Sequence, residues 1–251
     1  MAAIKIDVPE FRPSGYKIYR GAYSYSKGTN QFGEETFEVF RDRKDLSLHF
    51  KSEINSRVST GELLNIQVDY FVNKDFIPMK VLVNKRLGQE NVAEYWVYDK
   101  KKDTILYEFI ENVGTTYHEL KTPVKFHIAV PNCACSTLFI RSKKFDSSGL
   151  NFFSTWTSYN QWRFEQVPDM KSIQVKKVSS THENIMIDGQ NVQAVHYRMA
   201  ENDTGPIMES NKESYLNLYV SKFGSIPYSI RSDGEGVKVQ VKYFNNLDDH
   251  T

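Results

Sequence analysis

Few side chains in this 251-residue sequence have the type and spacing to do chemistry: six histidines, two cysteines and some isolated acids. His49 and His127 fall on the polar faces of alternating segments. Where such a face lines a cavity, imidazole is a natural acid or base near neutral pH. Asp69 shares a face with Gln67 and Phe71 in an otherwise apolar run, which makes it the third catalytic candidate. His196 and Arg198, two residues apart, share a strand face and could hold an anionic head group or carboxylate. Cross-strand pairing with an acid explains them equally well. In Tyr117-His118-Glu119, neighbours on a strand point to opposite sides, so Glu119 does not orient His118. The acids Glu34, Glu35, Glu38 and Glu108, Glu111, Glu119 read as solubilising groups on exposed strand faces.

Cys133 and Cys135, in Pro131-Asn-Cys-Ala-Cys-Ser136, lack the second ligand pair of a zinc site. They are expected as reduced thiols beside a turn, and no metal site is expected. His182-Glu183 is followed by Asn184, Ile185 and Met186, so the zinc-protease motif is absent. A nucleophile elbow, a phosphate-binding loop and a dinucleotide fingerprint are also missing. No cofactor is therefore expected.

Aromatic residues are abundant, with 15 Tyr and 16 Phe. Tyr and Trp combine a large apolar face with a polar handle, which suits a cavity for an apolar or ring-containing ligand. Tyr23, Tyr70, Trp96, Tyr107, Phe153, Trp156 and Trp162, with His196 and Arg198, are the expected ligand-binding residues. An aromatic-rich β core would use the same residues.

The elements that must position these groups are strands. Leu46, Leu48 and Phe50 alternate with polar residues; so do Val124, Phe126, Ile128 and Val130, and Val237, Val239, Val241 and Tyr243. Period two is the signature of a sheet with one buried face. Turn signals at 100–103, 188–189, 222–224 and 233–236 separate the runs, giving about 12 to 14 strands between Tyr16 and Asn245. Runs at 34–43, 46–57 and 62–72 exceed ordinary strand length, so the sheet must twist and coil. The expected fold class is all-β: a long-stranded antiparallel meander forming a strongly curved half-barrel or barrel, with few short helices. Residues 1–251 read as a single domain, with an irregular aromatic-rich insertion or lid at 131–159 and a polar loop at 200–213.

Charge and hydropathy set the remaining bounds. Thirty-two basic and 31 acidic residues leave a formal charge of +1, which argues against nucleic acid as a partner but leaves room for a local basic patch. No run reaches the ~18–20 apolar residues of a membrane span. The first ten residues do not resemble a signal peptide. A cytoplasmic protein is expected, or an exported one from which the signal peptide has been removed.

The closing segment, 213–220, 226–230 and 237–241, together with the general meander, resembles the curved-sheet bacterial lipid carriers: lipoprotein-carrier-like half-barrels and related glycolipid-binding proteins. The resemblance implies a half-barrel enclosing an apolar ligand and carries over no functional residue. Two functions follow as expectations. One is binding of a hydrophobic small molecule (lipid, isoprenoid or polyketide-like) in the concavity. The other is a cofactor-independent lyase, isomerase or hydratase acting there, which would need a buried His or carboxylate within reach of a Tyr.

Overall fold

Alternation becomes a meander of long strands in a computed structural model that describes residues 11, 15–179, 183–187, 189–201, 215–221, 226–232 and 234–248. Strands β1 (Tyr16–Lys27), β2 (Asn30–Arg41), β3 (Leu48–Arg57), β4 (Leu63–Val72), β5 (Pro78–Leu87), β6 (Glu90–Asp99), β7 (Thr104–Glu111) and β8 (Gly114–Lys121) pair in succession, all antiparallel. Two-residue hairpin loops at 28–29 and 88–89 depend on Gly28 and Gly88, whose φ values of 58° and 57° match the twist of such turns.

The chain then leaves the sheet. It passes through the short β9 (His127–Ile128) and a 3₁₀ turn at Leu138–Arg141, then re-enters with β10 (Leu150–Thr157) and β11 (Asp169–Lys177). β12 (Glu183–Ile187), β13 (Gln190–Glu201), β14 (Leu216–Ser221), β15 (Pro227–Ser232) and β16 (Val237–Asn246) follow. β16 pairs with β1, joining both arms into one sheet of order β8-β7-β6-β5-β4-β3-β2-β1-β16-β15-β14-β13-β11-β10-β9, with β12 beside the start of β13. Among the described strands, only β9 and β10 run parallel. The edges β8 and β9 do not pair, so the sheet is a curved, open half-barrel of sixteen described strands, slightly more than the turn signals predict.

The concave face holds the core. Phe37, Phe50, Val68, Tyr70, Val81, Trp96, Tyr107 and Phe109 stand on it in successive strands, each almost wholly removed from water. Burying a large apolar side chain is worth about 1.5–3 kcal/mol, so this wall dominates the stability of the first arm. Gly21 sits opposite Phe37, where an added Cβ would come within 2.5 Å of the Phe37 ring.

Three expectations need correction. Residues 124–130 do not form a full alternating strand: only His127 and Ile128 pair, and both are buried, because the chain turns into the interior there. Leu46 lies in a turn at φ 60° and is exposed, so the strand starts at Leu48. A bulge in the β1–β16 pairing skips Lys242. Tyr243 therefore leaves the face of Val239 and Val241, and Phe244 takes the inward place opposite Gly21, near Phe37. The expected insertion is also partly regular, since 150–157 is β10. His182, Asp188, 202–213, 222–224, Asp233 and the first ten residues, on which other readings fall, lie outside the described residues. No described helix is long and apolar enough to cross a membrane.

Candidate functional site

Residues 126–140 are seated on the concave face as a plug, and the contacts that hold them form the candidate site. At its centre stands Glu35, on β2 between Tyr23 of β1 and Ile54 of β3. It shares its strand face with Phe37 and Val39, so the period that buries those apolar residues buries the carboxylate as well. Glu35 accepts the backbone N–H of Cys133 (2.7 Å), the N–H of Ala134 (3.1 Å) and the hydroxyl of Tyr25. Those amides open a turn of successive i→i+3 bonds, Ser136 to Cys133 and Leu138 to Cys135. The carboxylate thus caps the run as an acidic side chain caps a helix start.

No described cation pairs with Glu35. Burial is the largest influence on its carboxyl and pushes it up from 4.5 to about 7, against the lowering effect of its three donors. Burial likewise raises the Tyr23 and Tyr25 hydroxyls and both thiols well above their ordinary ranges. Cys133 and Cys135 are free and buried, as expected of thiols beside a turn, with Asn132 Nδ2 donating to the Cys135 sulfur and to Ser52 Oγ. Among the described residues no cluster of three metal-ligating side chains occurs.

A second contact lies at Tyr70. Its hydroxyl accepts the Ile128 N–H (3.2 Å) and stands 3.0 Å from His127 Nδ1 and 3.1 Å from the Ile128 carbonyl. Desolvation holds the His127 ring down at about 3, so it is neutral at physiological pH. The third contact is an ion pair inside the wall. Lys85 Nζ lies 3.1 Å from Glu94 Oε1 and donates to the Gln161 carbonyl, with the Trp162 ring 5.8 Å away. Tyr107 donates to the other Glu94 oxygen at 3.3 Å. Here Lys85 and Glu94 occupy inward positions beside Val83 and Trp96 and fasten the 161–167 segment to the wall, where Phe164 stacks on His118.

The expected site residues divide between the two faces. Tyr23, Tyr70, Trp96 and Tyr107 converge on the concave face, and His127 meets them from the plug. Phe153 lies on the concave face of the second arm against Phe139. Trp156 is buried, with Nε1 donating to Thr122. His49 and Asp69 do come together, Nε2 to Oδ1 at 2.6 Å, but on the convex face. There the His49 ring stacks on Phe71 at 3.9 Å and is buried with Nδ1 unpartnered. His196 and Arg198 also face outward, His196 between Glu183 (3.3 Å) and Asn217 (2.8 Å). Glu35, read from the sequence as a solubilising group on an exposed face, is instead wholly buried, and Lys85 and Glu94, also buried, were passed over. Their signal was present as single charges in phase with apolar neighbours.

No family model matches the chain, and no curated protein sequence matches it. Solved structures are similar, two of them over most of the chain. One is a β-barrel-like protein of the domain of unknown function DUF1849 from Brucella abortus, with TM-score 0.56 and 9% identity over 94% of this chain and 100% of that one. The other is a DUF1089 family protein from Pseudomonas aeruginosa, with TM-score 0.51 and 10% identity over 83% of this chain and 92% of that one. The likeness is one of fold alone. It agrees with the curved, barrel-like sheet and assigns no ligand to it.

Proposed function

We propose that the protein is a binding module whose concave face takes a hydrophobic small molecule, such as a lipid, an isoprenoid or a polyketide-like compound. The observation that supports this is the seating of the plug. An aromatic wall (Tyr23, Tyr70, Trp96, Tyr107) is covered by residues 126–140, held there by side-chain hydrogen bonds on Glu35, Tyr70 and Ser52. Displacing such a cover exposes a large apolar surface with a few hydroxyl handles, the composition of small-molecule sites. The curved-sheet resemblance to lipid carriers points the same way.

Native mass spectrometry of the purified protein, with titration of the neutral probe Nile red, tests the reading. A co-purified apolar ligand or saturable probe binding is expected. Glu35→Gln, which turns one acceptor oxygen into an amide, should loosen the plug and tighten probe binding. Absence of both ligand and probe binding would sink the proposal.

One observation favours a second reading, a cofactor-independent lyase, isomerase or hydratase. Glu35 is a buried carboxyl at about 7 bonded to Tyr25, the pairing that proton transfer requires. This reading needs the same displacement of the plug. It would fail if Glu35→Gln left turnover unchanged on a substrate identified from the co-purified ligand.

A further inference from the structure

The near-zero net charge conceals a concentration of cations on the convex face of the second arm. Register places Lys176 of β11 opposite Arg198 of β13, Arg198 opposite Asn217 of β14, Asn217 opposite Arg231 of β15, and Arg231 opposite Lys238 of β16. These five residues form one cross-strand row on one face, four of them cationic. At ~4.8 Å per strand the row spans about 19 Å.

Like charges directly opposite on neighbouring strands destabilise a sheet, and among the described residues none of the row's four cations makes an ion pair. Two described acids on neighbouring strands are engaged elsewhere: Glu183 on His196, and Glu34 on Lys242. Arg231 donates from Nε to Ser229 at 3.2 Å, whereas the Nε of Arg198 is buried without a partner. Burial and the neighbouring Arg231 lower Lys238, as expected of a cation held next to another.

Both guanidinium groups are also pre-positioned. Arg198 lies over the Tyr215 ring at 4.7 Å and Arg231 over Tyr219 at 5.3 Å, and His196 stacks on the same Tyr219 ring at 4.5 Å. Stacking fixes the plane of a guanidinium and leaves its edge donors to an incoming anion. Beside the row, an open groove of about 300 Å³ is lined by Ser24, Gln240, Val241 and Lys242, whose ammonium is paired with Glu34. All four cations of the row are partly exposed.

We infer that the convex face of β11–β16 is an anion-binding site for a ligand with two or more phosphoryl groups, or for several phosphoryl head groups presented side by side. Planar guanidinium forks match phosphoryl oxygens in bidentate fashion. Cations spread across four strand spacings also exceed the reach of a single small anion. The site is separate from the concave face and does not depend on the reading proposed for it.

The test uses the whole protein with two probes: inorganic pyrophosphate by calorimetry, and vesicles of phosphatidylglycerol in phosphatidylcholine by sedimentation. Binding that weakens with salt is expected for at least one probe. Arg198→Gln with Arg231→Gln should weaken it by roughly tenfold or more, since each removes charge-assisted hydrogen bonds. Lys176→Gln with Lys238→Gln should weaken it as well, without touching the stacked residues. The charge-matched pair Lys51→Gln with Lys121→Gln should leave it unchanged. Pyrophosphate binding alone identifies a soluble phosphorylated ligand, and vesicle binding alone identifies lipid head groups. Failure to bind either probe, or equal losses in the row and control pairs, overturns the inference.

Discussion

The two arms of the sheet differ in whether the buried part of the concave face holds charge. In β1–β8 the concave face buries Glu35, Lys85 and Glu94, and the plug adds His127. In β10–β16 the buried part of the concave face is apolar, with Phe153, Val175, Leu218 and Val220 packed on Phe139 and Ile140, while Lys176, Arg198, Arg231 and Lys238 face outward. The difference lies in what the covering segment offers. Residues 126–140 and 161–167 present backbone amides and carbonyls to the first arm, so a charge there finds partners. To the second arm the plug presents Phe139 and Ile140, whose side chains have no donors to give. A buried charge costs several kcal/mol unless it is hydrogen-bonded or paired.

The sharpest way to break this comparison is through pH. Glu35, at about 7 in the folded protein against 4.5 ordinarily, holds its proton more tightly when folded. Its contribution to stability is full below pH 4.5 and is lost as pH rises through 7, on the order of 3 kcal/mol. His127, at about 3 against 6.5, behaves oppositely. Its contribution is full above pH 6.5 and is lost as pH falls through 3, on the order of 5 kcal/mol. Between pH 4.5 and 6.5 the two slopes oppose each other. In urea unfolding, Glu35→Gln should unmask a fall of about 1.4 kcal/mol per pH unit toward acid, and His127→Gln a rise of similar size. Profiles without these opposite slopes would remove the account of the plug's electrostatics.

Lys85→Ala comes next. It leaves Glu94 unpaired in the wall and should cost about 3–5 kcal/mol, whereas Lys85→Met with Glu94→Met should recover most of that loss. Chemical denaturation of both variants checks it, and equal losses would show that packing rather than charge governs the site. Leu218→Ala in the second arm should cost about 3 kcal/mol by cavity formation. Unlike the first-arm effects, its cost should not change between about pH 5 and 8. Lys238→Gln is expected to be the smallest, within about 0.5 kcal/mol and in the stabilising direction, because it relieves the opposition to Arg231. A clear loss of stability there would mean that the cationic row is held by partners the fold requires.

Much of the fold was legible from individual runs. Residues 237–241 and 48–54 announce their strands because period-two patterning survives wherever one sheet face is buried. The same rule failed at Tyr243, where the bulge at Lys242 shifts the register without any Gly or Pro to mark it. It failed again at 124–130, whose apolar residues are buried by entering the interior rather than by joining the sheet. The candidate site was half legible. Tyr23, Tyr70, Trp96 and Tyr107 stand out as large aromatics in strands, but Glu35, Lys85 and Glu94 look like the solubilising charges found on any exposed face. Their phase with Phe37, Val83 and Trp96 was the available clue. His49 and Asp69 show the converse: they meet, as their types suggested, but on the face away from the concavity.

The sequence by itself determined the strands, the turns between them and the phase of each side chain, because these follow from local sterics and the two-residue repeat. Only the tertiary structure decided which phase is concave, which segment fills it, and which charges line up across five strands. Those outcomes depend on curvature and on register between residues far apart in the chain. A carboxylate such as Glu35 takes its character from amides almost one hundred positions away, and no local pattern records that meeting.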